Sequence, residues 1–380
     1  MIAKDQAARR QSARAVEAEK AVLLVWQRDD ESPDDLAYRV EELTGLCAAA
    51  GATVVGSVVQ RRRSPDARWY LGQGKVEALG RLVEATSADL VVADGELRPT
   101  QARNLEDAVS RRVVDRTVLI LDIFARRAVS REGKLQVEIA QLKYLLPRLS
   151  GRGAAWSRLG GGIGTRGPGE SKLELDRRRI RARIAKLERD LAELAAHRSR
   201  LRQRRVRDSA VVALVGYTNA GKTTVRARWV ADRGRTAETF GRDRLFDTLD
   251  VTARRVFARS GEPYVVTDTV GFVEYLPHHL VEAFRSTLEE VVYADVIVLV
   301  VDASRAPERH LRATRQVLAD LGALDKPIIT FYNKMDLAAW QPPPDLESQQ
   351  TVYGSAVGGN LEPLYQAVEA RLQQAKEKAD

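Results

Sequence analysis

The sequence feature that most constrains the fold is an apolar segment, residues 210–215, that runs directly into a glycine-rich string. The string consists of Gly216, Tyr217, Thr218, Asn219, Ala220, Gly221, Lys222 and Thr223. It fits the pattern G-x-x-x-x-G-K-[ST], which requires a strand before it and a helix after it. The glycines let backbone amides wrap around phosphate oxygens, the lysine ammonium neutralises those oxygens, and the threonine hydroxyl can ligate Mg²⁺. The string therefore predicts a phosphate-binding loop in an α/β domain.

A second apolar strand, residues 264–267, ends in a short polar turn. The turn consists of Asp268, Thr269, Val270 and Gly271. A carboxylate at the end of a strand can hold Mg²⁺ through water, and the amide of the glycine can contact a γ-phosphate. By itself, an aspartate after a strand is commonly a cap or turn residue. Its position downstream of a phosphate-binding loop favours the nucleotide role.

The identity of the base is indicated by a third strand, residues 327–332, which leads into an N-K-x-D pattern. The pattern consists of Asn333, Lys334, Met335 and Asp336. Its aspartate accepts hydrogen bonds from two adjacent donors on guanine, and adenine has no such donor pair. After the segment 351–354, Ser355 and Ala356, followed by Val357, fit the loop whose backbone amide contacts the guanine oxygen. The elements together predict a GTP and GDP site and a GTP hydrolase.

The segment between the phosphate-binding loop and Asp268 is the candidate first switch. It contains Phe246, Asp247, Thr248, Leu249 and Asp250. A threonine in this interval must close over Mg²⁺ and the γ-phosphate if the protein switches, and Thr248 and Thr252 both qualify by position. Phe272 stands where many small GTPases carry a glutamine that orients the hydrolytic water. Because phenylalanine cannot hydrogen-bond to that water, we expect slow unaided hydrolysis and an activating partner.

Upstream of the nucleotide motifs, apolar runs alternate with helical stretches, which is the pattern of a βαβ sheet. The predicted strands are 22–26, 53–59, 90–93 and 117–124, and the predicted helices are 34–50, 74–86 and 100–111. Two longer helices are predicted over 134–149 and 173–206, joined by a glycine-rich segment, 158–170. The predicted domains are a flexible N-terminal segment (1–20), an N-terminal α/β domain (21–133), a helical hairpin that forms an arm (134–207) and a P-loop GTPase domain (208–380).

The basic charge of the chain is concentrated in the predicted arm. Residues 148–207 contain 18 Lys and Arg against 6 Asp and Glu, whereas the whole chain has a formal net charge of +9. An ordinary charged helix is usually a solvated face. An arginine-rich block with this imbalance instead suits the phosphate backbone of a nucleic acid, because guanidinium groups form paired hydrogen bonds with phosphates and release counterions. We therefore expect the arm to bind RNA.

Composition excludes several classes of protein. No run of 18 or more apolar residues occurs, so no membrane span is predicted. Cys47 is the only cysteine and the four histidines are scattered, so neither a disulfide nor a His/Cys metal cluster can be assembled within the chain. We expect a cytoplasmic protein that is monomeric when free.

The quoted motifs resemble those of the HflX family of translational GTPases, and the resemblance covers nearly all of the chain. In the nucleotide domain it rests on GYTNAGKT (216–223), LFDTLD (245–250), DTVGF (268–272), LPHHLVEAFRSTLEE (276–290), NKMD (333–336) and SA (355–356). Upstream it rests on YLGQGKVE (70–77), ELRPTQARNLE (96–106), DRTVLILDIFARRA (115–128) and GGGIGTRGPGESKLELDRRRIRARI (160–184). The last string is specific to the family, whereas many families share the GTP motifs.

The resemblance implies an N-terminal α/β domain, a long helical hairpin and a GTPase domain related to those of translation factors. It implies Mg²⁺ held by Thr223 and Thr248, and Lys222, Thr248 and Gly271 as catalytic residues. The implied partners are the large ribosomal subunit and its rRNA, with hydrolysis stimulated by the ribosome and splitting or rescue of stalled ribosomes. The alternative is an RNA-binding assembly or remodelling factor that uses GTP as a conformational timer. A third and less favoured alternative is an ATP-driven RNA unwinding enzyme, because the carboxylate of Asp336 opposes ATP as the preferred ligand.

Three positions depart from the family pattern. After the phosphate-binding loop the pattern continues S-T-L-F-N, but this chain places Arg226 where an apolar helix residue is expected. Val251 replaces the usual proline after T-L-D, and Val357 replaces the usual lysine after Ser-Ala. We expect altered packing of the helix after the loop, and guanine specificity that survives through Asp336.

Overall fold

The computed structural model of the chain describes residues 18–149, 168–206, 209–234, 246, 252–274 and 285–377. The chain divides into two compact units. The first comprises Met1–Ile123 and Pro147–Gly169, and the second comprises Phe124–Leu146 and Glu170–Asp380. The domain boundaries drawn from the sequence at residues 20, 133 and 207 stay predictions.

The first unit is built around a parallel sheet. Its strands and helices are β1 (Glu19–Gln27), α1 (Pro33–Ala49), β2 (Ala52–Arg61), α2 (Gln73–Thr86), β3 (Leu90–Ala93), α3 (Pro99–Val109) and β4 (Arg112–Asp115). Two helices follow, α4 (Arg116–Arg127) and α5 (Arg131–Arg148), and the boundary between the units divides each of them. Over the described residues the strand order is β2-β1-β3-β4, and every pairing is parallel. The βαβ pattern of the sequence is confirmed, because parallel neighbours need crossover connections that return the chain to the same edge.

In this unit a side-chain hydrogen bond caps the start of a helix, and apolar strand residues form the core. Helix α1 begins where the Ser32 hydroxyl accepts a hydrogen bond from the backbone N–H of Asp35 at 3.1 Å, with Pro33 at the first helical position. Val22, Leu24 and Val91 are fully buried in the core of this unit. Near-continuous apolar strands of this kind are typical of a parallel sheet that helices cover on both faces.

One predicted strand is wrong. Residues 117–124 form most of helix α4, and the strand before it, β4, ends at Asp115. The carboxylate of Asp115 accepts a hydrogen bond from the backbone N–H of Val118 at 3.0 Å, which caps the first turn of the helix. The apolar run was misassigned because a short buried segment does not distinguish strand from helix by periodicity. Ile120, Ile123 and Phe124, at helical spacing, are all buried.

The second unit contains the long helix of the predicted arm and a larger sheet. Beyond α4 and α5, its elements are α6 (Pro168–Val206), β5 (Ala210–Gly216), α7 (Lys222–Arg233), β6 (Thr252–Phe257), β7 (Pro263–Asp268), α8 (Arg285–Val292), β8 (Val296–Asp302), α9 (Pro307–Asp320), β9 (Ile328–Asn333), β10 (Gln350–Tyr353) and α10 (Glu362–Glu377). The described strands are ordered β10-β9-β8-β5-β7-β6, and only β6 is antiparallel to its neighbour.

The central strands of the second sheet are buried on both faces. Along β5, Val212 and Leu214 belong to one apolar cluster and Val211, Ala213 and Val215 belong to the other. Successive side chains of a strand point to opposite faces, so this alternation places a core on each side of the sheet. Because β5, β7, β8 and β9 are parallel, their carboxyl ends meet at one edge, where a ligand site is expected in an open α/β sheet.

The two long helices predicted downstream of the first sheet are present as α5 and α6. On α6, Ile184 and Leu187 are buried while Arg178, Arg181 and Arg189 are exposed. Ion pairs between Arg183 and Glu138 (2.7 Å) and between Lys143 and Glu188 (2.8 Å) link the two helices. Residues 150–167, which include most of the predicted glycine-rich segment, lie outside the described residues. Within the described part of the chain, none of the helices has the length and apolar character needed to cross a membrane.

The capping role of Asp115 leads to a stability prediction. Its buried carboxylate also accepts from the backbone N–H of Leu97 at 3.0 Å and pairs with Arg148 at 3.3 Å. Asp115→Ala removes the cap of α4, the acceptor for the Leu97 N–H and the carboxylate that pairs with Arg148, so we expect the free energy of unfolding to fall by about 2–4 kcal/mol. Urea denaturation followed by circular dichroism measures the change. Asp107→Ala, at an exposed position of α3, is the matched control, and equal stability of the two variants would contradict the capping role.

Candidate functional site

The phosphate-binding loop joins β5 to α7, as the sequence pattern requires. Gly216 packs so closely on β8 that a Cβ atom there would overlap the carbonyl oxygen of Val300. Gly221 has a left-handed backbone (φ 91°), and a Cβ atom there would overlap the side-chain amide of Asn333. Both positions therefore require glycine, the first for close packing and the second for close packing and backbone conformation.

Lys222 is buried at the start of α7 and its ammonium group faces the loop. Nζ donates to the backbone oxygens of Gly216 at 3.0 Å and Tyr217 at 2.8 Å. Burial lowers the pKa of Lys222 to about 8, and the nearby carboxylate of Asp268 opposes that shift. Within the described part of the chain the third N–H has no acceptor. A phosphate oxygen is the acceptor that this position suits, because it supplies both the hydrogen bond and the counter-charge.

Thr218 and Asn219 also indicate which kind of ligand the loop can bind. The hydroxyl of Thr218 is buried and has no hydrogen-bond partner among the described residues. Asn219 has a left-handed backbone, with φ of 63°. A buried polar atom without a partner is costly, and an oxygen of a bound nucleotide would satisfy it. The loop therefore fits a phosphorylated ligand.

Thr223 and Asp268 bring two oxygen ligands together beside the loop. The Thr223 hydroxyl donates to Oδ2 of Asp268 at 2.8 Å, and Asp268, the last residue of β7, is fully buried. Among the described residues, no group of three or more His, Cys, Asp or Glu side chains could hold a metal ion. Mg²⁺ prefers oxygen ligands and commonly takes one or two from the protein, with the rest from water and substrate phosphates. The donor set therefore fits Mg²⁺ shared with a nucleotide.

The turn after β7 lies directly on the phosphate-binding loop. The backbone N–H of Thr218 donates to the oxygen of Phe272 at 2.6 Å, and the N–H of Phe272 donates to the oxygen of Gly216 at 3.2 Å. A Cβ atom on Gly271 would lie 2.9 Å from both Lys222 Nζ and Thr218 Cα. Gly271 therefore lies against Lys222 and Thr218 of the loop, and its contact with a γ-phosphate stays a prediction. A larger residue there would displace the lysine or the backbone.

The other residues of this turn are held by the core. Thr269 donates from its hydroxyl to the oxygen of Leu214 at 2.8 Å, and Val270 is buried. Phe272 is buried in the apolar cluster that contains Val215 and Leu299. Its side chain is therefore part of the core and cannot position a water molecule.

Tyr217 connects the loop to α9 and to the residues after Phe272. Its ring stacks on His310 with centroids 4.1 Å apart, and its hydroxyl accepts from the backbone N–H of Glu274 at 2.6 Å. The Glu274 carboxylate pairs with Arg309 at 2.7 Å. Burial lowers the pKa of His310 to about 4, so the ring is neutral at pH 7. The sequence reasoning did not identify His310, Arg309 or Glu274, because nothing in their spacing pairs them with the loop.

Asn333 joins the phosphate-binding loop to the predicted base loop. Its side-chain N–H donates to the oxygen of Ala220 at 2.9 Å, and its side-chain oxygen accepts from the N–H of Ala356 at 2.9 Å. Within the loop whose backbone amide the sequence pattern assigned to the guanine oxygen, the N–H of Ala356 is thus donated to Asn333, and the contact with the base stays a prediction. Ser355 is buried beside it, and Val357 is 78% exposed.

The remaining N-K-x-D residues lie at the carboxyl end of β9. Lys334 has a left-handed backbone (φ 61°) and pairs with Asp302 at the end of β8 at 2.7 Å. The N–H of Met335 donates to the oxygen of Gly354 at 3.1 Å. Asp336 is exposed, and none of the residues that the structure describes buries it. Its burial would have to come from the base itself. The sequence analysis did not identify Asp302 as part of the site.

The candidate first switch lies mostly outside the described residues. Asp247, Thr248, Leu249 and Asp250 belong to that part of the chain, as does Val251. Phe246 is described and buried, with a left-handed backbone (φ 54°). Its ring meets that of Phe124 edge to face, with centroids 4.7 Å apart. The assignment of Thr248 to Mg²⁺ therefore stays a prediction.

Arg226, the departure in helix α7, lies within the site. Its side chain is 9% exposed, and Nη1 is 3.6 Å from Oδ2 of Asp268. The sequence signal for this contact is its position four residues after Lys222, which puts both side chains on one face of the helix. Arg226 is thus a buried cation where the family pattern has an apolar side chain, and altered packing of the helix stays a prediction.

Family models cover most of the chain. Residues 37–125 match a model described as GTP-binding GTPase N-terminal, residues 127–205 match GTP-binding GTPase Middle Region, and residues 211–334 match 50S ribosome-binding GTPase. The solved structure of an SsGBP and GDP complex has a TM-score of 0.50 and is 21% identical, covering 94% of this chain and 99% of that chain. At that identity it shows the fold alone, and the fold is the one predicted.

Curated relatives match along nearly the whole sequence. GTPase HflX of Caldanaerobacter subterraneus subsp. tengcongensis is 48% identical over 361 residues, covering 94% of this chain and 82% of that protein. GTPase HflX of Escherichia coli strain K12 is 39% identical over 362 residues, covering 93% of this chain and 83% of that protein. The resemblance drawn from the motifs is confirmed, as is the prediction of a GTP hydrolase. The chain belongs to the HflX family of GTPases.

Proposed function

We propose that this chain is an Mg²⁺-dependent GTPase of the cytoplasm that binds the large ribosomal subunit, hydrolyses GTP to GDP and phosphate, and splits or rescues stalled ribosomes under stress. The observation that carries the proposal is that one compact unit contains both the nucleotide loops and the described part of the arginine-rich helix α6. A change at the nucleotide can therefore act on the RNA-binding element within the same unit.

Each nucleotide group has a candidate partner. Lys222 and the loop amides bind the phosphates, and Asp336 selects guanine by accepting from its two donors. Thr223, Thr248 and Asp268 would hold Mg²⁺, which when bound would supply positive charge to the phosphate oxygens during hydrolysis. Asn333 keeps the phosphate loop and the base loop at a fixed separation.

Hydrolysis requires help from a partner. The water that attacks the γ-phosphate must be oriented, and the side chain at the usual orienting position, Phe272, is buried in the core. Gly271 offers a backbone amide but no side chain. The bound ribosome orients the attacking water, so GTP hydrolysis is coupled to ribosome binding.

The arm supplies the affinity for rRNA. Arg178, Arg181 and Arg189 are exposed on α6 and have no ion-pair partner among the residues that the structure describes. Arg183, in contrast, pairs with Glu138. Uncompensated guanidinium groups on one helix bind phosphates and release counterions, which makes the affinity depend on salt. The matched family model over residues 211–334, described as 50S ribosome-binding GTPase, supports the ribosome as the source of that RNA.

The proposal is tested by sucrose-gradient sedimentation of intact ribosomes with the protein and a non-hydrolysable GTP analogue. We expect whole ribosomes to convert into subunits with the analogue and to remain whole with GDP. Binding to ribosomes that stay whole would favour an assembly or remodelling factor instead. Absence of the protein from every ribosomal fraction at low salt would refute the ribosomal role.

The base-recognition role of Asp336 predicts a change of specificity. Asp336→Asn cannot accept from both guanine donors, so we expect GDP affinity to fall about 10- to 100-fold, as for the loss of a hydrogen bond to a charged group. Xanthosine diphosphate, which presents an acceptor in place of one donor, should bind the variant better than GDP does. Competition against a fluorescent nucleotide measures both affinities. The control is Asp325→Asn, which changes an exposed aspartate away from the loops. Equal GDP affinity of the two variants would remove Asp336 from the site.

The arm predicts a change in salt dependence. In the triple variant Arg178→Gln, Arg181→Gln, Arg189→Gln, we expect weaker ribosome binding, and the slope of log affinity against log salt should be shallower by about 2 to 3. Pelleting assays over a salt series measure the slope. The control triple variant removes the same charge from exposed positions elsewhere, at Arg63, Arg81 and Arg312. Identical slopes for the two triple variants would show that α6 does not contact rRNA phosphates.

A further inference from the structure

Arg226 lies one helical turn beyond Lys222 on α7 and points into the nucleotide site. The residue is 8% exposed, and its guanidinium Nη1 is 3.6 Å from Oδ2 of Asp268. Asp268 is fully buried at the carboxyl end of β7. A buried carboxylate is costly unless a cation or several hydrogen bonds compensate its charge. Arg226 supplies a fixed cation at this position.

The same carboxylate is the one that the proposed function assigns to Mg²⁺. Its Oδ2 atom also accepts from the hydroxyl of Thr223 at 2.8 Å, and Thr223 is the proposed direct ligand of the ion. The guanidinium of Arg226 and a hydrated Mg²⁺ therefore address one acidic group. Two cations that share one carboxylate repel each other and divide its charge, so the binding of one weakens that of the other.

We propose that Arg226 is a positioning residue that neutralises Asp268 before the divalent ion binds, and thereby makes nucleotide binding less dependent on Mg²⁺. The inference rests on the proposed GTP site and adds a residue that the family pattern lacks, since an apolar side chain is expected at this position. With Arg226 present, Asp268 keeps its orientation toward Thr223 in the absence of metal. The protein then loses less of its nucleotide affinity when Mg²⁺ is removed than a site without this second cation does.

The test replaces Arg226 and follows Mg²⁺ dependence. Arg226→Met keeps an unbranched apolar stem and removes the charge, whereas Arg226→Lys keeps a cation. Arg228→Met makes the same change two residues away, where Arg228 pairs with Asp232 at 3.1 Å and is partly exposed. Release of fluorescent GDP is measured over a Mg²⁺ titration that extends to excess EDTA, and thermal unfolding is measured without nucleotide.

For Arg226→Met we expect a larger acceleration of GDP release by EDTA than in the unmodified protein, by about 5- to 100-fold, the range typical of coupling between two sites. The half-maximal Mg²⁺ concentration should fall, because the competing cation is gone. The nucleotide-free variant should unfold at a lower temperature and regain stability with Mg²⁺ and GDP. Arg226→Lys and Arg228→Met should stay close to the unmodified protein.

Two outcomes distinguish this inference from the proposed function. If the unmodified protein binds GDP and Arg226→Met shows the same EDTA effect and Mg²⁺ midpoint, Arg226 does not act on Asp268 and the inference fails while the nucleotide site stands. If the unmodified protein binds no guanine nucleotide at any Mg²⁺ concentration, the proposed function itself fails. Should Arg226→Met not fold, the same titration is made with Arg226→Gln. In protein that already carries Asp268→Asn, the Arg226 substitution should have no effect on Mg²⁺ dependence, because the shared carboxylate is then absent.

Discussion

The side chain of Asn333 joins the phosphate-binding loop to the predicted base loop. Its amide donates to the phosphate-binding loop at Ala220 and accepts from the base loop at Ala356, each at 2.9 Å. Since β9 and β5 lie on either side of β8, this single side chain reaches across the end of the strand between them. Aspartate cannot donate, and a longer amide would not fit against Gly221. Asn333 therefore links the phosphate-binding loop to the predicted base loop through one side chain.

Burial gives the charges of this protein two different roles. Arg226 and Lys222 are buried beside Asp268, where electrostatic interactions are strong and a cation must have a counter-charge. Arg178 and Arg181 are exposed on α6, where charge is screened by salt and attracts polyanions instead. The composition of the chain counts these arginines together and does not distinguish buried from exposed ones. Their environments assign one set to the nucleotide site and the other to the proposed RNA surface.

Much of the fold followed from hydrophobic periodicity, because each buried element repeats the pattern of its own geometry. The strands before the phosphate loop, before Asp268 and before Asn333 all lie where the apolar runs placed them. The failure at residues 117–124 has a specific cause. The run is short and apolar apart from Thr117 and Asp122, so its pattern does not distinguish a buried strand from a buried helix. The hydrogen bond from Val118 to Asp115 favours the helix, and a side-chain cap of this kind is not visible in a hydrophobic pattern.

The sequence by itself determined the order of the nucleotide motifs and the preference for guanine, because those motifs are local strings whose chemistry depends on neighbouring residues. Only the tertiary structure decided that Phe272 is buried in the core, that Ala356 donates to Asn333 and that Arg226 faces Asp268. Asn333 and Ala220 are 113 residues apart in the chain and still form a hydrogen bond. Contacts of this kind arise because parallel strands bring distant segments to one edge of a sheet, and the strand order that does so is not written in any single segment.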